Sequence, residues 1–331
     1  MKLILLQSLL LVVSHNHFAQ ATWSIAGADE SSGQVGGAGA SCIDFTSVKD
    51  ALYNSAPGHG ILLSQALLSS SPTDNPSGPR ALGVQLLMND TNPEDIYNVI
   101  TQYPNPDIDC DVGYCSSGHG SACEDYLVQY MINPIPWCGC CGGDTRQYGI
   151  ADLTGRALGY TGDGVNNQSI AYSGLEAFEG SFTGYIEREG IAYSVQGNTV
   201  TESTVTNAYS QFNDGCDLAD RLMNALEGGD FENGDGDVRC QETVQSPALG
   251  AFLSVQSSKG TYIVDIDVVN DTDAVNTLRK RYDNWRRSHP CNNTKVVEEE
   301  SVSSSGYKHF IPTVIWRGSF LVILLTYLKI W

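Results

Sequence analysis

A threonine hydroxyl is a weak nucleophile until a base takes its proton, and a threonine at the head of a chain carries such a base in its own α-amine. The 331-residue sequence offers one position of this kind. Ala19-Gln20-Ala21 sets small residues at −3 and −1 of a cleavage point, so that processing there makes Thr22 the first residue. The freed amine, with an ordinary pKa of ~7.7–8.0, then reaches its own Oγ1 directly or through one water. A second group could complete acyl-transfer chemistry. In Gln196-Gly197-Asn198, Gly197 offers a backbone N–H and Asn198 a side-chain amide, the kind of preorganised donors an oxyanion needs. Read without Thr22, the same tripeptide is a polar turn at a strand end.

The other reactive side chains are cysteines. All ten lie beyond Ala21, and an even number in an exported chain reads as disulfides. Cys110, Cys115, Cys123, Cys138, Cys140 and Cys141 crowd into residues 106–144, whereas Cys42, Cys216, Cys240 and Cys291 are scattered and staple the main domain. Spacing alone gives no pairing. Cys138, Cys140 and Cys141 could instead surround one zinc ion, but the paired C-x₂-C spacing is missing and the oxidising route favours bridges. Cys42 reads as a bridge partner or small core residue rather than a second nucleophile. Asp230, Glu232, Asp235, Asp237 and Glu242 form an acidic loop that could take Ca²⁺. It lacks the EF-hand order, with Val238 where a turn glycine is wanted, and reads as a solvated loop. No metal and no cofactor is assigned.

These residues need a folded frame and a compartment. Thirty-eight acids against eighteen bases give a net charge of −20, which excludes nucleic acid as a partner and disfavours unaided docking on an anionic membrane. With 17% charged and 41% apolar residues, the chain is globular and not a disordered acidic tail. Lys2 followed by the apolar run Leu3–Val13 completes a secretory signal over 1–21. Asn89, Asn167, Asn270 and Asn292 each open an N-x-[ST] sequon, which suits an extracellular glycoprotein. The main domain is set at 22–290, with 106–144 as a Cys-rich insertion and 291–319 as linker and spacer. Residues 320–331 form a hydrophobic tail too short to span a bilayer alone. Small residues at Ser303–Gly306, a spacer and that tail approximate a GPI-attachment signal, which would tether the protein to the cell surface; a packed terminal element is the other reading.

Alternating apolar positions predict a strand at Thr22–Ala28, Gln34–Cys42 reads as a small-residue strand rich in Gly and Ala, and the apolar segment Gly60–Leu68 is buried in character. Helices are predicted at Arg80–Met88 and Glu94–Gln102, the second behind Asn92-Pro93. Gln147–Ala151 and Ala157–Tyr160 read as a hairpin around Thr154-Gly155, and Ile191–Gln196 as a further strand. Helices Glu202–Phe212 and Asp217–Leu226, strands Ala248–Val255 and Thr261–Val268, and a basic-ended helix Asp273–Arg287 complete the reading. Blocks of strands and helices of this kind make an α+β domain.

The opening Thr22-Trp23-Ser24-Ile25-Ala26, with Gly33 and Val35-Gly36, resembles the domain of unknown function 1028 family, which belongs to the N-terminal-nucleophile (Ntn) hydrolase-like superfamily. The likeness continues in Gln65-Ala66, in Asn75-Pro76 with Gly78-Pro79, in Arg146-Gln147-Tyr148-Gly149-Ile150, in Gly155-Arg156 and in Gln196-Gly197-Asn198. It resumes at Arg221-Leu222 and Gln245-Ser246-Pro247-Ala248-Leu249 and keeps order and rough spacing from Thr22 to about Val268. The resemblance implies a four-layer αββα sandwich with the N-terminal residue at a strand end inside a cleft. In that family the threonine normally follows the initiator methionine; here signal cleavage would do the same work. Two departures stand out: members usually carry Lys or Arg where this chain has Cys42, and the Cys-rich segment is extra. The resemblance implies a mechanism class, hydrolysis of an amide or related acyl bond in a small-molecule or peptide substrate, with Thr22 as nucleophile. The alternative is a non-catalytic extracellular binding or structural module on the same fold.

Overall fold

The computed structural model describes residues 22–42, 47–66, 78–102, 146–162, 178–230, 246 and 248–291. The chain divides into two units, residues 1–291 and 292–331, and everything described belongs to the first. The signal segment, the Cys-rich insertion, the acidic loop beyond Asp230, Asn167, Asn292, the spacer and the tail lie outside the described residues, so the domain limits drawn at those segments do too. No described helix is long and apolar enough to cross a membrane.

The fold is α+β, built on two antiparallel sheets. The strands are β1 (Thr22–Asp29), β2 (Gln34–Ser41), β3 (Tyr53–Ala56), β4 (Gly60–Ala66), β5 (Arg146–Asp152), β6 (Ala157–Thr161), β7 (Phe178–Ile186), β8 (Ile191–Val200), β9 (Gly250–Gln256) and β10 (Tyr262–Val268). The larger sheet runs β10-β9-β2-β1-β8-β7 and the smaller β3-β4-β5-β6. The helices are α1 (Val48–Leu52), α2 (Pro79–Met88), α3 (Pro93–Gln102), α4 (Glu202–Phe212), α5 (Leu218–Gly229) and α6 (Ala274–Ser288).

Strand periodicity sorts side chains into three apolar groups. In β1 every residue is buried, because both faces are covered. Trp23 and Ile25 point to one face and pack with Phe212 of α4 and Leu218, Leu222 and Leu226 of α5. Ala26 and Ala28 point to the other and meet Ile61 and Leu63 of β4 and Ala151 of β5, so the two sheets lie face to face. On the far side of the smaller sheet, Leu62, Tyr148 and Ile150 pack against Leu87 of α2 and Ile96 and Ile100 of α3. The gap between the sheets is kept narrow by small residues: a β-carbon on Gly37 would sit 3.1 Å from Leu63 Cδ2 of the facing sheet, tighter than ordinary van der Waals contact.

Local chemistry explains the element ends. Pro79 opens α2, where its missing N–H costs nothing. Thr201 and Asp217 cap α4 and α5 by accepting hydrogen bonds from Thr204 N and Asp220 N. The β5–β6 hairpin turns at Gly155, whose φ of +85° suits glycine. There Asp152 accepts from the backbone N–H groups of Thr154 and Arg156, both at 3.0 Å, and pairs with Arg156 Nε at 2.6 Å. Most elements match the expected ones within a few residues. The sequence gives no sign of α1 and β3, which are too short to display a period, or of β7, whose interspersed glycines obscure its alternation, and it marks β4 only as an apolar, buried segment.

Candidate active site

Thr22 is the first residue of β1, a central strand of the larger sheet, and its registered neighbours are Ser41 on β2 and Asn198 on β8. Residues in register share a face, so all three side chains look toward the smaller sheet. Thr22 Oγ1 lies 2.9 Å from Ser41 Oγ, and both residues are fully buried.

The smaller sheet answers with carboxamides. Gln65 of β4 donates from Nε2 to the Thr22 carbonyl at 3.2 Å and also to Gln147 Oε1 of β5. Asn198 Nδ2 donates to the same Gln147 oxygen at 3.2 Å. Gln147 Nε2 donates to the Gly197 carbonyl at 2.8 Å and to Thr161 Oγ1 at 2.6 Å. One step deeper, Ser24 Oγ donates to Gln65 Oε1 at 2.6 Å and accepts from Gln196 Nε2 at 2.7 Å, while Ser194 Oγ donates to Gln196 Oε1 at 2.8 Å. Thr22, Ser24, Ser41, Gln65, Gln147, Ser194, Gln196 and Asn198 are each at most 1% exposed, and together they form a dry polar layer between two sheets. Burying amides without partners would be costly, and here they satisfy one another across the gap.

Among the described residues, the side chains of this layer are neutral. Among the described residues, the groups that hydrogen-bond this network are hydroxyls, carboxamides and backbone carbonyls. Such a set can orient a hydroxyl nucleophile and offer N–H dipoles to developing negative charge.

Of the residues expected from the sequence, Thr22 and Asn198 come together as neighbours. Gly197 contributes its carbonyl, as the acceptor for Gln147, and has a separate packing role: a β-carbon there would meet Val205 Cγ2 at 2.6 Å. Ser41, Gln65, Gln147 and Gln196 had been given no role by sequence reasoning. Their signal was polar side chains at alternating positions of otherwise apolar strands. Cys42 is disulfide-bonded at the end of β2. Cys216 and Cys291 form a disulfide with Cα atoms 6.1 Å apart, closing a sequence separation of 75. Cys110, Cys115, Cys123, Cys138, Cys140, Cys141 and Cys240 lie outside the described residues. Asn89 and Asn270 occupy exposed turns. Asp230, the described member of the acidic loop, ends α5 with Oδ1 buried and without a hydrogen bond.

Residues 139–278 match the model of a family of unknown function (DUF1028). No curated protein matches the chain. Among solved structures, the crystal structure of a Silicibacter pomeroyi protein carrying the same family model aligns with a TM-score of 0.51 and 18% identity, over 80% of this chain and 89% of that one. That similarity is one of fold.

Proposed function

We propose that this chain is a secreted or surface-tethered Ntn hydrolase on a four-layer αββα sandwich, with Thr22, exposed by cleavage after Ala21, as its nucleophile. The observation that carries the reading is the position of Thr22. It heads a central strand, its Oγ1 is held by Ser41 at 2.9 Å, and amides of both sheets surround it. In the proposed reaction the Thr22 amine takes the hydroxyl proton as Oγ1 attacks the carbonyl carbon of an amide. The ammonium then returns that proton to the departing nitrogen as the C–N bond breaks, leaving an acyl ester on Oγ1. A water activated by the same amine hydrolyses the ester. Asn198, in register with Thr22, would serve as the oxyanion donor: turning Nδ2 from Gln147 toward the developing charge would strengthen an interaction realised only in the transition state.

One observation favours a second reading, a non-catalytic extracellular module: the amides around Thr22 already satisfy one another. The experiment that separates the two begins with the mature N-terminus, by Edman sequencing or intact mass. An electrophilic probe for N-terminal threonine is then applied to wild type and Thr22→Ala. A free Thr22 labelled only in wild type supports the hydrolase; any other N-terminus, or equal labelling of both, rejects the amine-base mechanism.

A further inference from the structure

The Cys216–Cys291 bridge joins the residue before the Asp217 cap of α5 to the last residue of the first unit. Residues 292–331 follow, so the bridge ties down the point where the chain leaves the described domain. Cys216 is exposed and Cys291 half-buried. With Cys216 in the open, steric cover gives the bridge little protection against a dissolved thiol.

A carboxylate touches both sulfurs. Asp220 Oδ2 lies 3.1 Å from Cys216 Sγ and 3.5 Å from Cys291 Sγ. Neither sulfur carries a hydrogen while bridged, so the carboxylate gains no hydrogen bond from them. Its other oxygen fixes it in place: Asp220 Oδ1 accepts from the Tyr282 hydroxyl and lies 3.3 Å from Arg286 Nη2. A second carboxylate, Asp217, has an oxygen within 4.8 Å of both sulfurs. Arg286 donates to both Asp217 oxygens, at 2.8 and 2.7 Å, so its charge is already engaged there. Two carboxylates set against one guanidinium leave these three groups net negative.

Thiol–disulfide exchange begins when a thiolate attacks one sulfur. The S–S bond breaks, its electron pair departs on the other sulfur, and a mixed disulfide remains on the attacked cysteine. A second thiolate then attacks the reductant sulfur of that mixed disulfide and frees the first cysteine as a thiolate. Attack on the exposed Cys216 makes Cys291 the first leaving thiolate, and both anions, arriving and departing, lie beside Asp220. We propose that Asp220, with Asp217 next to it, is an electrostatic guard of the bridge that repels anionic thiols and keeps the C-terminal exit tied in their presence. A small thiol bearing an ammonium group escapes this repulsion, so the bridge selects among reductants by their charge. The inference does not depend on Thr22 being a nucleophile.

Reduction of the whole protein tests it, followed by timed alkylation and peptide mass mapping of Cys216 and Cys291, which separates this bridge from the other cysteines. The reductants are cationic cysteamine and anionic 2-mercaptoethanesulfonate, at equal thiolate concentration and low ionic strength. Cysteamine should reduce wild type faster. Asp220→Asn should narrow the ratio of the two rates by about fivefold, the effect of two charge units at ~8 Å in water. Asparagine keeps the shape of the side chain, and a general loosening of the junction would speed both reductants alike and leave the ratio unchanged. An unchanged ratio therefore overturns the proposal, as does a wild type that both thiols reduce equally fast. If Asp220→Asn does not fold, salt decides on wild type: the ratio should shrink as ionic strength rises from about 0.02 M to about 1 M, where screening acts within ~3 Å. A ratio indifferent to salt rejects the guard.

Discussion

Gly149 of β5 lies directly beneath the side chain of Gln196 from the facing sheet, so close that a β-carbon on Gly149 would stand 2.2 Å from Gln196 Oε1. The glycine is the gap through which the amide reaches Ser24 Oγ at 2.7 Å. Gly149→Ala should therefore cost about 1–3 kcal/mol of stability, the usual cost of overpacking. Gln196→Ala should relieve the clash, so that the double variant is more stable than the sum of the single effects predicts. Urea unfolding of all four proteins measures the coupling.

Thr22→Ser keeps the hydroxyl and should retain most of any hydrolytic activity, whereas Thr22→Ala should lower it by at least ~10³-fold, because the attacking atom is gone. The alanine variant also loses the buried contact with Ser41 and should be about 1 kcal/mol less stable, far too little to unfold the domain. Turnover and unfolding measured on the same samples separate the chemical effect from the structural one.

Burial, with Asp273 and Glu227 nearby, pushes the Asp230 carboxyl up from 3.8 to about 7. Between those values the folded state holds a proton that the unfolded state has released, so stability falls as pH rises from about 4 to 7. Asp230→Asn should remove this dependence. It should be more stable than wild type at pH 8, by on the order of 2–4 kcal/mol, with the difference shrinking toward pH 4. Chemical unfolding across that range checks the sign as well as the size.

The Cys216–Cys291 bridge joins the segment before α5 to the residue just beyond α6. Arg286 reinforces the same junction, donating to both Asp217 oxygens at 2.8 and 2.7 Å. The double variant Cys216→Ser with Cys291→Ser should lose about 2–4 kcal/mol through the freer unfolded chain. α6 should remain helical, because Leu278 and Tyr282 stay in the core. A lower Tm with unchanged far-ultraviolet circular dichroism is the expected result.

The frame was more legible in the sequence than the site. Trp23 and Ile25 alternate with small residues, and Leu218, Leu222 and Leu226 recur every four, so β1 and α5 announce themselves by period. Thr22 was found because the small residues before it mark a cleavage point, and Asn198 because of the Gly-Asn pair. The glutamines were silent for a physical reason. In sequence, Gln65, Gln147 and Gln196 are polar residues in separate strands, each compatible with a solvated face. Only pairing in register, Gln65 with Gln147 and Ser24 with Gln196, places them opposite one another in a dry gap.

The neutrality of the layer around Thr22 limits where protons can travel. A carboxamide passes on a hydrogen bond but gives up its hydrogen only at extreme pH, so Gln65, Gln147, Gln196 and Asn198 form an insulating wall rather than a wire. The Ser41 hydroxyl is a relay in contact with Thr22 Oγ1 at 2.9 Å. A proton passed from that oxygen to Ser41 would move over only a few atoms, and Ser41 would also have to give it back.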